Sequence, residues 1–185
     1  MAGRCSTRQG SASAGRRVSR LAALLLMLAL GSNQSLAAAW RVVPAGAPSQ
    51  TARTLVESVR GDRLAIYRDA DGQVFAEFEA AGPSPFARTA CPTVQVDDHT
   101  PPFTFDAGVT CTVAANLARF ELARITGTRL ESALLYYLMN GNAVAFRYTT
   151  GDRAYREAVF PLTQSKRALL RVLGRNLDVQ TPATE

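Results

Sequence analysis

The sequence predicts an α+β domain in which an antiparallel sheet, built from hairpins, packs against two helices. Two pairs of short runs alternate between apolar and polar residues and are joined by turn residues, which indicates two β-hairpins. Two other segments carry apolar residues at helical spacing. Because tight hairpins make antiparallel neighbours, the order strands, helix, strands, helix favours helices on one face or end of the sheet.

The two hairpins are the clearest elements. Residues 63–79 read RLAIYR, DADG and QVFAEFE, so alternation aligns apolar side chains on one face of each run. Gly72 lets the intervening turn adopt a positive φ at little cost. Residues 143–160 show the same pattern around a turn at 149–152, and Pro161 ends the second strand.

Shorter extended segments are predicted between the hairpins. They lie at residues 93–96, 103–106, 109–113 and 120–125, after a loop at 80–90 that Gly and Pro mark. Residues 51–59 fit either a strand or a short helix.

A capping box predicts the first helix. Thr128 and Glu131 have the spacing at which each side chain bonds the other residue's backbone N–H. The helix is expected to run to about Met139 and to end at Asn140-Gly141, because Gly favours the position after a helix. Its predicted inward stripe consists of Leu130, Leu134, Tyr137 and Leu138.

Ser165 predicts the start of the second helix. Its hydroxyl is suited to cap residues 166–173, and Gly174 closes the segment. Leu169, Val172 and Leu173 form the expected inward face.

The first 39 residues have the pattern of a secretory leader. Arginines without an acidic residue precede an apolar run at residues 21–30, and small residues suited to a signal peptidase follow. Ten apolar residues are too few for a membrane span, which needs about 20. The predicted organisation is a signal peptide (1–39), a partly loose mature N-terminal segment (40–62), a single α+β domain (63–175) and a frayed tail (176–185).

The leader changes how charge and cysteines are counted. Five of the 21 basic residues precede residue 21, so 16 basic and 15 acidic residues remain from Trp40 onward. Because the remaining cations are interspersed with acids along the chain, nucleic-acid binding is not expected. Cys5 leaves with the leader, and Cys91 and Cys111 are expected to form one disulfide in an oxidising compartment.

Three stretches resemble the invasion-associated locus B family of small periplasmic proteins. They are VQVDDHTPPFTFDAGVTC, LESALLYYLMNGNAVAFRY and VFPLTQSKRALLRVL, which together span about residues 94–173. The resemblance implies a secreted, non-enzymatic domain that is associated in some bacteria with host-cell entry. The chain lacks the additional cysteines that the family pattern places near the mature N-terminus.

Two groups of residues could carry acid or base chemistry. Asp97, Asp98 and His99 could serve a small periplasmic hydrolase, although Asp and His before two prolines are also ordinary turn residues. Glu77 and Glu79 are predicted to lie on the solvated face of the first hairpin. No zinc, phosphate-loop or nucleophile-elbow motif is present, so no metal or cofactor is expected.

The preferred hypothesis is a protein-binding surface formed by Tyr136, Arg147, Tyr148 and Tyr155. Tyrosine and arginine are enriched at protein interfaces. The tyrosines could instead border the core with their hydroxyl groups in water. The sequence thus predicts a periplasmic or secreted non-enzymatic domain that binds an envelope or host protein, with no permanent membrane span. A small hydrolase and an accessory subunit that adds a hairpin edge strand to an envelope assembly are the alternatives.

Overall fold

The structure is a computed structural model that describes residues 39–46, 51–87, 91–98 and 110–181. These residues belong to one compact unit, Leu36–Glu185. They form eleven strands and two helices: β1 (Arg41–Val43), β2 (Arg53–Glu57), β3 (Arg63–Arg68), β4 (Gln73–Glu79), β5 (Thr93–Val96), β6 (Cys111–Ala114), β7 (Leu117–Arg124), β8 (Arg129–Glu131), α1 (Ala133–Asn140), β9 (Ala143–Thr149), β10 (Tyr155–Pro161), α2 (Ser165–Leu173) and β11 (Asp178–Gln180).

The predicted α+β class is wrong, because the protein is mostly β. Strand accounts for 47% of the described residues and helix for 14%. Part of the difference comes from short strands such as β1, β8 and β11, each of three residues. Three residues are too few to show a period of two, so only their pairing partners reveal them as strands.

The largest sheet has six antiparallel strands in the order β1-β2-β3-β4-β7-β6. The predicted hairpin of residues 63–79 is confirmed as its centre, with β3 paired to β4 from Arg63↔Glu79 to Arg68↔Val74. A register shift lies between Val74 and Phe75 where β4 meets β7. Strands β1 and β2 extend the sheet into the segment 40–62, which was expected to be partly loose.

A second sheet has the order β10-β9-β5 and is also antiparallel. It contains the second predicted hairpin, 143–160, and the predicted strand at 93–96, and both predictions are confirmed. A third pairing joins β11 to β8 in parallel. Strand β11 therefore orders residues 178–180, which lie inside the segment 176–185 predicted to fray.

Aromatic side chains join the two larger sheets. The Phe78 ring on β4 stacks on Phe146 of β9 with centroids 4.7 Å apart. Phe160 of β10 lies edge-on to Phe78 at 6.1 Å, and Phe120 of β7 lies 6.1 Å from Phe146. All four side chains are at most 2% exposed, so the core lies between two sheet faces that pack on each other.

Helix α1 begins later than the capping box predicts. Residues 129–131 form β8 instead, and Ser132 is the N-cap, its hydroxyl accepting a hydrogen bond from Leu135 N at 3.4 Å. The helix ends before Gly141, as predicted, although Gly141 has a negative φ. A Cβ at Gly141 would lie 2.6 Å from Val96 Cγ1, so close packing explains this glycine.

Helix α2 is confirmed over the predicted residues, but its cap is not. The N-cap is Gln164, which has a positive φ of 67° and makes no side-chain capping bond. Ser165 is buried, and its hydroxyl donates to the Leu138 carbonyl at 2.7 Å. Ser165, which was predicted to cap α2, therefore links α2 to α1.

Candidate interaction surface

The predicted Cys91–Cys111 disulfide is confirmed. Cys91 precedes β5 in the three-stranded sheet, and Cys111 begins β6 at the edge of the six-stranded sheet. The bond therefore joins the two layers of the protein covalently.

Tyr148 is not on the surface, which corrects its place in the predicted interaction site. Its side chain is 5% exposed, and its ring lies edge-on to Phe78 and Phe86 at 5.3 and 5.1 Å. The hydroxyl donates to Asp62 Oδ1 at 3.4 Å. Burial, and then the charge of Asp62, raise the pKa of Tyr148.

The buried carboxylate of Asp62 organises the turn between β2 and β3. It accepts hydrogen bonds from Ala81 N at 2.9 Å and Ser58 Oγ at 2.8 Å. The Ser58 N–H also donates to the Asp62 carbonyl at 2.8 Å, which closes the turn. The tip of this closed turn presents Val59, which is 94% exposed, and the adjacent Arg60.

Arg147 lies on the outer face of the three-stranded sheet and contacts side chains on both neighbouring strands. It is the register partner of Glu157 on β10 and of Thr93 on β5. Its guanidinium donates to the Glu157 carboxylate and to the Gln95 side-chain oxygen. These contacts hold Arg147 in one orientation between the strands.

Two exposed side chains of β10 lie near Arg147. Tyr155 is 68% exposed and Val159 is 49% exposed. Both share the outer face with Glu157, because alternate strand residues point the same way. The Arg60 guanidinium donates to the Glu157 carbonyl and so brings the Val59 turn against β10.

Six side chains thus form one continuous surface, here named the β10 surface: Val59, Arg60, Arg147, Tyr155, Glu157 and Val159. A shallow cavity of 240 Å³ lies within it, lined by Ser58, Val59, Arg60, Glu157 and Val159. An exposed apolar strip rimmed by fixed charged groups is the anatomy of a protein-binding patch.

Tyr136 lies on α1, a helix that packs against β5, β11 and α2. Its ring contacts that of Tyr137 at 5.5 Å, and its carbonyl accepts from Asn140 Nδ2 at 2.8 Å. These contacts lie within α1, and in the described part of the chain no contact joins Tyr136 to the β10 surface. The structure therefore brings Arg147 and Tyr155 together without Tyr136.

The free edge of β10 is poorly suited to adding a partner strand. Strand β10 pairs only with β9 among the described strands. The Glu157 carbonyl is already bonded to Arg60, and the Pro161 carbonyl accepts from Trp40 Nε1 at 2.8 Å. Pro161 has no N–H to offer, and such features are ways in which sheet edges are blocked.

The carboxylate of Asp97 has a structural role. It accepts hydrogen bonds from Asn142 N at 3.0 Å and Ala143 N at 2.9 Å, which hold the link between α1 and β9. Asp97 itself has a φ of 51°, as short polar residues in turns can. His99, the third residue of the predicted hydrolase group, lies outside the described residues.

Glu77 lies on the outer face of the six-stranded sheet, where it was predicted, between two arginines. It faces Arg53 at 3.7 Å and Arg119 at 3.9 Å, and it accepts from the Tyr67 hydroxyl at 2.8 Å. Burial, followed by this hydrogen bond and the charge of Glu77, raises the pKa of Tyr67 to about 12.

Glu79 pairs with a different cation, Arg63, at 3.0 Å. Each of the two glutamates is thus neutralised by its own arginine partners. Cross-strand ion pairs of this kind are typical of a solvated sheet face.

Comparison with known proteins finds no family model that matches the chain, and no similar curated protein or solved structure. No cluster of three or more potential metal ligands occurs in the described ranges. Within the same ranges, no helix combines the length and apolar character that a membrane span requires.

Sequence reasoning missed four members of the β10 surface: Val59, Arg60, Glu157 and Val159. Val159 carries a readable signal, because a β-branched residue stands on the polar face of the predicted hairpin. Val59 and Arg60 carry none, since their approach to β10 depends on contacts about a hundred residues away along the chain.

Proposed function

We propose that the protein is an exported binding module that recognises a protein partner of the cell envelope or of a host through the β10 surface. The observation that carries this proposal is the cluster of exposed apolar side chains, Val59, Tyr155 and Val159, around the fixed Arg147. Aromatic and arginine side chains of this kind dominate the binding energy of protein interfaces.

Export is supported by the leader pattern of residues 1–39 and by the disulfide. The resemblance to the invasion-associated locus B family points in the same direction, and it remains a prediction. A hydrolase has less support, because the Asp97 carboxylate is occupied by backbone hydrogen bonds.

Site-specific photo-crosslinking in cells that express the full chain tests this proposal. A photoreactive phenylalanine analogue at Tyr155 should give a discrete cross-linked species. The same analogue at Glu131, whose side chain is 59% exposed on β8, serves as the matched control. An identical pattern of adducts from both positions would contradict the proposal.

A second variant connects the adduct to the apolar residues. Val59→Lys with Val159→Lys should abolish the cross-link from position 155 and leave folding intact, because substitutions of exposed residues usually change stability by at most about 0.5 kcal/mol. Thr112→Lys, on an exposed position of β6, should have no effect. Persistence of the adduct in the double variant would show that these valines do not contact the partner.

A further inference from the structure

Helix α2 and the residues after it carry a row of cations without acidic partners. Lys166, Arg167, Arg171 and Arg175 are all exposed. In the described part of the chain none of the four has a carboxylate within salt-bridge distance. Six other arginines do have one, and five more described arginines without one (Arg60, Arg68, Arg124, Arg153 and Arg156) lie elsewhere in the chain. Lys166 has only the neutral Asn140 side chain, at 3.3 Å.

These four residues form a local excess of positive charge, although the chain from Trp40 onward is nearly neutral as a whole. No acidic residue occurs between Glu157 and Asp178. With four of its 16 basic residues gathered here, the rest of the chain from Trp40 onward has 12 basic and 15 acidic residues. The expectation that basic residues are interspersed with acids is therefore wrong for this face.

Three of the arginines share one patch of surface with an apolar residue. A cavity of 370 Å³ is lined by Arg167, Leu170, Arg171 and Arg175. On the side toward β1, a smaller cavity of 130 Å³ brings Arg167 and Arg171 together with Val42, which is 37% exposed. The patch therefore combines cations with aliphatic side chains.

The dipole of α2 does not favour the cations in its first turn. Lys166 and Arg167 lie where the helix dipole is positive, and no acidic residue offsets them. Only Arg171, in the last turn, is placed favourably for the dipole. With respect to the dipole of α2, the placement of Lys166 and Arg167 costs stability rather than adding to it.

We propose that this face, here named the α2 basic patch and formed by Lys166, Arg167, Leu170, Arg171 and Arg175, binds the surface of an anionic phospholipid bilayer. Charge complementarity selects an anionic partner. Aliphatic side chains among the cations suit the boundary between headgroups and acyl chains. Leu170 and Val42 cannot stack on bases as aromatic side chains do, which makes single-stranded nucleic acid a poorer fit.

The test compares two triple variants of the full chain that lose the same net charge. Arg167→Gln, Arg171→Gln and Arg175→Gln neutralise the patch. The control variant, Arg124→Gln, Arg153→Gln and Arg156→Gln, changes three exposed arginines elsewhere. Both proteins keep the same first 39 residues, so any contribution of that segment cancels.

Co-sedimentation with vesicles of phosphatidylglycerol and phosphatidylcholine in equal amounts measures the partition coefficient. At about fivefold per cation near an anionic surface, the patch variant should bind about 100-fold more weakly than the wild type. The control variant should stay within about threefold of the wild type, because cations distant from the contact are screened. Replacing the three patch arginines by Lys should retain binding, since lysine keeps the charge.

Three results would overturn the proposal. Equal losses in the two triple variants would mean that net charge, not the patch, governs binding. Unchanged binding of the patch variant would exclude the patch. Tighter binding of the wild type to duplex DNA than to vesicles at equal phosphate concentration, abolished in the patch variant, would assign this face to nucleic acid instead.

Discussion

Removing the disulfide should destabilise the protein by an amount that follows from its place in the chain. Cys91 and Cys111 are 20 residues apart, for which the chain-entropy model gives about 3 kcal/mol. At about 2–4 °C per kcal/mol for a domain near 150 residues, the melting temperature should fall by about 6–12 °C. The variant is Cys91→Ala with Cys111→Ala; equilibrium urea unfolding measures the loss of free energy, and a thermal melt measures the fall in melting temperature.

Reduced wild-type protein is the control that isolates the bond. Cys111 packs against the core, whereas Cys91 is exposed, so the double variant also loses a small packing contribution. Reduction leaves both side chains in place and should by itself produce most of the loss. An unchanged urea midpoint after complete reduction would refute the entropic reasoning, because the loop would then be constrained without the bond.

Two further predictions concern the start of α1 and the buried tyrosine of the six-stranded sheet. Ser132→Ala should lower the free energy of unfolding by about 1 kcal/mol because it removes the cap of Leu135 N. Thr128→Ala should change the free energy by less than about 0.5 kcal/mol. A larger loss in Thr128→Ala than in Ser132→Ala would show that Thr128 caps the helix, as the capping box predicts. Because the folded pKa of Tyr67 is about 12 and the unfolded pKa is near 10, its contribution is complete below about pH 10 and is lost as the pH rises toward 12. Tyr67→Phe should therefore lose less stability than the wild type over that interval in urea unfolding, and equal losses would show that the titration of Tyr67 does not cause the pH dependence.

The parts of the fold that were predicted correctly are those whose signals are local. Both hairpins, the span of α2 and the end of α1 follow from turn residues and periodicity within about twenty positions. The disulfide was predicted from the expected leader, whose removal would take Cys5 away and leave Cys91 and Cys111 as a pair; the bond itself is confirmed. One local signal gave a wrong prediction. Thr128 and Glu131 have capping-box spacing, but residues 129–131 form β8 and pair in parallel with β11 instead of starting the helix.

In the candidate interaction surface, too, only the local features could be predicted from the sequence. Alternation correctly aligns Tyr148 with Val144 and Phe146, yet the sequence does not say which face of the hairpin is covered. Contact with Phe78 and Asp62, which are distant in the chain, buries that face and leaves Arg147 and its neighbours outside.

By itself, the sequence determined the hairpins, the span of α2 and the one disulfide, because each depends on residue types and short spacings. Only the tertiary structure decided that the class is mostly β and that Tyr148 belongs to the core. It also decided that Val59 meets β10, and that the cations of α2 share one unneutralised face. The physical reason is that burial and charge pairing depend on distances in space, and segments far apart along the chain determine those distances.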